Sequence, residues 1–166
     1  MGIEIERKFL VVGDAWRGAV EKSVRMAQGY LNDAAAPEST AKSSLRVRIA
    51  GAAAFINIKS RQSGPERAEF EYAIPLADAQ ALLELCVGGL IDKTRHYVHH
   101  AGFLWEIDEF AGDNIGLIVA EIELPRVDAT FATPGWAGRE VTDAPRYYNH
   151  ALARRPFARW ADEEKS

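Results

Sequence analysis

The chain has 166 residues, 48% hydrophobic and 27% charged, with a formal net charge of −4. That length holds one domain with a sizeable core, the composition is ordinary for a soluble globular protein, and the overall charge does not advertise nucleic-acid binding, although clustered basic residues can still bind a compact polyanion. Cys86 is the only cysteine, so neither a disulfide framework nor a cysteine-based zinc site is expected, and it reads as a small core residue. No apolar stretch has the length of a membrane span. No signal peptide is visible, because charges begin at Glu4. The expected location is therefore cytoplasmic, with no membrane and no nucleic-acid partner.

The first run, Met1 to Val12, places Glu4, Glu6 and Lys8 at spacing two, with Ile3, Ile5 and Phe9 on the other parity. In a strand the three charges share one face. Two carboxylates about 7 Å apart along a strand suit a hard cation, and a lysine one step on can meet an anion bound to it. Gly13-Asp14 breaks the run, and Asp14 is a candidate cap for a short helix. Residues 24–31 form a second strand. Residues 32–44, small, polar and interrupted by Pro37, form a loop. Leu45 to Ile49 puts Arg46 and Arg48 on one face. After a hairpin at Gly51, Phe55 to Lys59 is a strand. Ser63-Gly64-Pro65 turns the chain, and Arg67, Glu69 and Glu71 then share a face.

Leu76 to Leu85 is the clearest helix, with Leu82, Leu83 and Leu85 apolar and Gly88-Gly89 as its stop. Leu90 to His99 carries Lys93, Arg95 and Tyr97 in register. Phe103 to Phe110 carries Glu106 and Asp108, and Leu117 to Leu124 carries Glu121 and Glu123. Pro125 ends that strand, and a short helix is expected from Asp128. Trp136 to Thr142 reads as irregular or extended. A C-terminal helix is expected from about Tyr147 to Trp160. Eight strand-like runs with short turns point to a closed antiparallel barrel, because closure removes sheet edges. The fold class is α+β, mainly β.

Whole strand faces carry paired ions of like sign, and each such pair needs a counter-ion. Two ligands satisfy the set together: divalent cations for the acids and a polyphosphate for the bases. Oxygen-only ligands point to Mg²⁺ or Mn²⁺. The barrel is then charged inside, with its apolar face packed outward against helices. Salt-bridge ladders between strands are the competing reading. No Gly-rich phosphate loop of the Walker type occurs, so phosphate binding rests on side chains. His96, His99, His100 and His150 share no metal spacing and read as surface or hairpin residues. Trp16, Trp105, Trp136 and Trp160 read as packing residues. Arg139, Arg154 and Arg155 read as surface charge.

Glu4-Ile-Glu-Arg-Lys8 resembles the ExExK motif of the CYTH superfamily, the triphosphate tunnel metalloenzymes. Gln28 to Leu31, Leu45 to Arg48, Lys59, Arg67 to Glu71, Lys93-Thr-Arg95, Glu106 to Gly112, Glu121 to Glu123, Glu140 to Asp143 and the Tyr147-x-Asn149 element resemble successive family motifs in family order. The resemblance spans nearly the whole chain as one domain, 1–166. It implies an eight-stranded tunnel that binds a triphosphate and one or two divalent metals. Substrate would be gripped by Lys8, Arg46, Arg48, Lys59, Lys93 and Arg95, with Arg67 contacting substrate or the neighbouring acids. Metal would be held by Glu4, Glu6, Asp108, Glu121 and Glu123, joined by Glu71 and Glu69. Tyr30, Lys59 and Lys93 are the candidates nearest the chemistry. The implied activity is hydrolysis of tripolyphosphate to pyrophosphate and phosphate. Alternatives are a nucleotide or thiamine triphosphate phosphohydrolase, a class IV adenylyl cyclase, and a non-catalytic polyphosphate-binding module. A homodimer is also consistent with the resemblance.

Overall fold

The computed structural model describes residues 2–61 and 66–165. The turn expected at Ser63-Gly64-Pro65 lies outside the described residues. The strands are β1 (Gly2–Val11), β2 (Lys22–Tyr30), β3 (Ser43–Ala50), β4 (Ala53–Ser60), β5 (Glu66–Ala73), β6 (Val87–His100), β7 (Phe103–Phe110), β8 (Ile118–Glu123) and β9 (Ala137–Glu140). Helix α1 (Leu76–Leu83) follows β5, and α2 (Asn149–Arg154) follows β9. Strands pair in the order β5-β4-β3-β2-β6-β7-β8-β1, and β1 returns to β5, closing an eight-stranded antiparallel barrel. No described helix is long and apolar enough to cross a membrane.

Alternation along each strand sets the two surfaces. Ile5, Phe9, Val98, Trp105, Ile107, Ala120 and Ile122 point outward and pack with Trp16 and Trp136 into one buried cluster. Val47, Ile49, Ala54 and Ile56 point outward beneath α1, against Ala79, Leu82 and Leu83. A third cluster lies inside the barrel. Ile91, Phe110 and Val119 share the inner parity with Lys93, Asp108 and Glu121, and they pack against Tyr147, Leu152, Ala153 and Trp160 of the C-terminal segment. That segment plugs one end of the barrel with apolar side chains. The outer covering is incomplete: Tyr72, Leu85 and Leu90 stay exposed.

The differences from expectation have local causes. Among the described residues β1 pairs β5 from Gly2 to Ile5. The run expected to be irregular or extended supplies β9, which pairs with β1 through Phe9↔Glu140 and Val11↔Ala137. Past it, the Val141 amide donates to the Lys8 carbonyl at 2.8 Å, and the Lys8 amide donates to Thr142 Oγ1 at 3.0 Å. No helix forms at Asp128. The stretch between β8 and β9 instead runs irregularly and lays Phe131 against Phe9, Phe103 and Trp105.

The C-terminal helix is shorter than expected, because Pro156 cannot donate to the helical ladder. The chain continues from it as a short 3-10 turn at Phe157–Arg159. Asp14 does not cap the turn that follows it, but accepts from Arg17 Nε at 3.0 Å. Gly88 and Gly89 lie within β6 rather than stopping α1. A Cβ at Gly88, where φ is +73°, would sit 2.9 Å from the Ala153 carbonyl, so glycine lets α2 lie against the strand.

Candidate active site

The inner face of the barrel is built in two layers. The lower layer is a closed network of ion pairs. Lys93 Nζ lies 2.5 Å from Asp108 Oδ2, and Arg95 forks the same carboxylate through Nε and Nη2, each at 2.7 Å. Arg95 also bonds Glu106 through Nη1 and Glu121 through Nη2, the latter at 2.9 Å. Lys8 Nζ completes the chain at 2.7 Å from Glu121. Cross-strand register explains the set: Arg95 faces Asp108, Glu106 faces Glu121, and Glu121 faces Lys8.

Lys8, Lys93, Arg95, Asp108 and Glu121 are almost wholly excluded from water, and their protonation follows from that. Burial alone would raise the Asp108 and Glu121 carboxyls, but the cations around them hold both below the ordinary range. Burial would lower Lys8, but Glu121 and Glu6 hold it above the usual lysine value. Lys93 ends at about 8, because burial, helped by Arg95, outweighs its attraction to Asp108.

Above this layer lies a cavity of about 1360 Å³. Lys8 and Arg95 reach it from below, whereas Lys93 and Asp108 do not line it. One part of its wall is basic, with Arg46 and Arg48 on β3, Lys59 on β4 and Arg67 on β5. Their partners are incomplete. Arg48 meets Glu71 at 2.7 Å, Arg46 approaches Glu69 only to 3.9 Å, and the Arg67 guanidinium stacks 4.5 Å from the Tyr148 ring. The Nε of each of these three arginines is buried and without a hydrogen-bond partner, as is Asn149 Oδ1. A buried donor left unpaired costs about 1–3 kcal/mol, so the three arginines hold hydrogen-bonding capacity that the chain itself does not use. Crowding acts in the same direction: burial and the Arg46 charge depress Arg48.

The other part of the wall is acidic. Glu6 faces Glu123 directly between β1 and β8. Glu4 and Glu69 complete the group, and Lys59 lies between them, 2.5 Å from Glu4 and 3.7 Å from Glu69. Burial and Glu121 raise the Glu6 carboxyl. Burial, with Glu4, Glu69 and Glu6 nearby, raises Glu123. Like-charged carboxylates crowded in this way fit a hard divalent cation, and the donors are all oxygen. Among the described residues, no three acidic, histidine or cysteine side chains already converge on one point as a finished metal centre.

Each residue singled out in the sequence thus faces the interior. Glu4, Glu6, Lys8, Tyr30, Arg46, Arg48, Lys59, Arg67, Glu69, Glu71, Arg95, Glu106, Glu121 and Glu123 border one cavity, and Lys93 and Asp108 lie beneath it. Tyr30 is buried at the cavity edge. Burial outweighs the pull of Arg46, Lys59 and Lys8 and raises its hydroxyl, so it stays a phenol.

Sequence reasoning missed part of the wall. Thr142, Tyr148, Asn149 and His150 line the cavity from the C-terminal segment, and the 34–42 loop closes another side. His150 is therefore not a surface residue. Nor is His96, which packs 5.0 Å from the Trp16 ring and bonds Ser23 and Glu109 at 2.7 and 3.1 Å on the outside of the barrel. The signals for the C-terminal wall were the Glu140 to Asp143 element, whose Thr142 reaches the cavity, and the Tyr147-x-Asn149 element, of which Tyr147 belongs to the plug while Asn149 reaches the cavity.

An antiparallel barrel whose lumen sets a basic wall against an acidic one has the charges to suit a polyanion with counter-cations. The chain matches the CYTH domain over residues 2–148 and belongs to that family. It is 43% identical over 158 residues to an inorganic triphosphatase of Acetivibrio thermocellus, covering 95% of this chain and 97% of that protein. It is 37% identical over 153 residues to an inorganic triphosphatase of Nitrosomonas europaea, covering 90% and 96%. A crystal structure of an inorganic triphosphatase superposes with a TM-score of 0.64 at 37% identity, over 92% of this chain and 95% of the other. A Hippeastrum protein described as a candidate adenylyl cyclase with a dominant triphosphatase activity shares the fold, with a TM-score of 0.58 at 20% identity over 74% and 80% of the two chains.

Proposed function

We propose that this chain is a metal-dependent inorganic triphosphatase that hydrolyses tripolyphosphate to pyrophosphate and phosphate. The observation that carries this reading is one cavity lined by Arg46, Arg48, Lys59 and Arg67 on one part of its wall and by crowded carboxylates on the other. The triphosphatase names of the two relatives support the choice of substrate.

Arg46, Arg48 and Arg67 bind phosphate oxygens through their guanidinium groups, with the forked geometry that suits them. Lys8 and Arg95 add positive charge from below, held upright by Glu121 and Asp108. Lys93 and Asp108 act through Arg95 rather than on substrate, since neither lines the cavity. Glu4, Glu6, Glu69 and Glu123 hold the divalent cation, Mg²⁺ or Mn²⁺, with Glu71 and Glu121 beside them. When bound, such a cation supplies charge neutralisation and an acidified water.

Lys59 moves from Glu4 to the substrate as that carboxylate is claimed. Tyr30, a phenol beside Arg46, donates a hydrogen bond to a phosphate oxygen and orients the chain end. One P–O–P bond breaks, the new P–O bond takes its oxygen from water, and the cations offset the charge that builds on the leaving pyrophosphate. A cytoplasmic setting is part of this reading and suits the free thiol of Cys86.

The test is phosphate release from tripolyphosphate, ATP and thiamine triphosphate, each with Mg²⁺ and with Mn²⁺, beside Lys8→Ala and Glu6→Ala. Metal-dependent release from tripolyphosphate, lost in both variants, is the expected result. Faster turnover of an organic triphosphate would reassign the substrate. A folded protein that binds tripolyphosphate without turnover would make the tunnel a binding module.

A further inference from the structure

We propose that His150 is a phosphate-binding residue of this tunnel and that it takes up a proton from solvent as the triphosphate enters. The inference rests on the triphosphatase reading above and deepens it.

His150 is the second residue of α2 and borders the cavity. Its ring stands edge-on to Tyr30, with centroids 6.2 Å apart, and lies 5.9 Å from the Tyr148 ring. Those aromatic contacts hold it in place. Among the described residues neither ring nitrogen has a hydrogen-bond or ion-pair partner. An imidazole walled in by aromatic rings, with free nitrogens on a polyanion cavity, is a donor in search of an oxyanion.

The charges around it determine when it can donate twice. Lys8 faces it from β1, Arg61 from the end of β4, and Arg67 from β5, while the Tyr30 and Tyr148 hydroxyls remain protonated. Asp33, after β2, is a carboxylate that pulls the other way, and Arg154 already holds it at 2.7 Å. Burial and the three cations push the imidazole down to about 4, so it is neutral in the free protein near pH 7. A bound triphosphate reverses the local field. Its charge offsets Lys8 and Arg67, and its oxygens give the ring nitrogens acceptors, so the native value rises on binding.

The sign of the pH dependence follows by linkage. Below about 4 the ring is charged in both states, and His150 adds no pH dependence. Above that value and up to the bound-state value, binding draws in a proton, and affinity falls as pH rises by at most about tenfold per unit. Above the bound-state value the ring is neutral in both states.

The experiment is titration calorimetry of tripolyphosphate into the protein with a metal chelator present, at several values from about pH 5 to pH 8, in two buffers of different ionisation enthalpy. Wild type, His150→Asn and His150→Lys are compared, each first checked for an unchanged melting profile. Wild type should take up more protons than His150→Asn and bind several-fold tighter at the acid end, converging with it at high pH. His150→Lys, charged throughout, should bind tightly across the range with no uptake beyond that of His150→Asn. Equal proton uptake by wild type and His150→Asn, with tripolyphosphate still bound and hydrolysed, would overturn the role of His150 alone. A wild type that neither binds nor hydrolyses tripolyphosphate would overturn the functional reading and this inference with it.

Discussion

Lys59 Nζ and Glu4 Oε2 lie 2.5 Å apart across the cavity, joining the strand that begins the chain to β4. The pair couples the two halves of the site, since one partner is assigned to phosphate and the other to metal. On the proposed assignment, each ligand would release a side chain that the other needs. Replacing Glu4 by Gln should therefore separate the two functions. With a chelator present, Glu4→Gln should bind tripolyphosphate about fivefold tighter, the size of a partly exposed ion pair of about 1 kcal/mol. Metal-dependent hydrolysis should fall about 100-fold or more. Weaker metal-free binding by the variant would contradict the coupling.

The acidic wall is costly without a cation, which predicts a pH profile for the metal-free protein. Glu6 has a native value raised by burial and by Glu121. The native state thus holds that proton more tightly than the unfolded chain does. Stability falls as pH rises from the ordinary carboxyl value of 4.5 through the raised native value, and the loss persists at neutral pH. Glu6→Gln should melt higher than wild type at pH 7 in chelator, with the gap closing in acid. A lower melting temperature at pH 7 would show that the carboxylate is already compensated.

The lower layer should behave in the opposite way. Asp108 is wholly buried and bonds both Lys93 and Arg95. Asp108→Asn leaves two buried cations short of a partner, at a cost of about 3–5 kcal/mol, which lowers the melting temperature by about 10 °C or more. The double variant Asp108→Asn/Lys93→Met should recover part of the loss. Thermal and urea unfolding of the three proteins would measure both effects.

The plugged end offers a test that leaves the charges untouched. Leu152 is fully buried in the apolar cluster inside the barrel. Leu152→Ala should cost about 2–5 kcal/mol by urea unfolding. Saturating tripolyphosphate should restore part of that stability, because it binds only the folded chain. A variant that is destabilised and gains nothing from tripolyphosphate would place the plug in the binding site itself.

What the sequence by itself determined was parity. The spacing-two pattern of Glu4, Glu6 and Lys8, repeated at Arg46/Arg48, Arg67/Glu69/Glu71, Lys93/Arg95, Glu106/Asp108 and Glu121/Glu123, already assigned a charged inside and an apolar outside. It could do so because the pleat is a local property that puts alternate side chains on opposite faces whatever the strand pairs with. Tertiary structure decided which charge meets which. The pairing of Lys93 with Asp108 depends on β6–β7 register, and that of Lys59 with Glu4 on closure between strands more than fifty residues apart. Whether a charged residue lies in the floor or on the wall depends on what the barrel excludes from water, and no single strand carries that information. The same holds for the C-terminal segment. The expected helix ran on through Pro156 to Trp160, and only the folded chain shows that Tyr148, Asn149 and His150 reach the cavity.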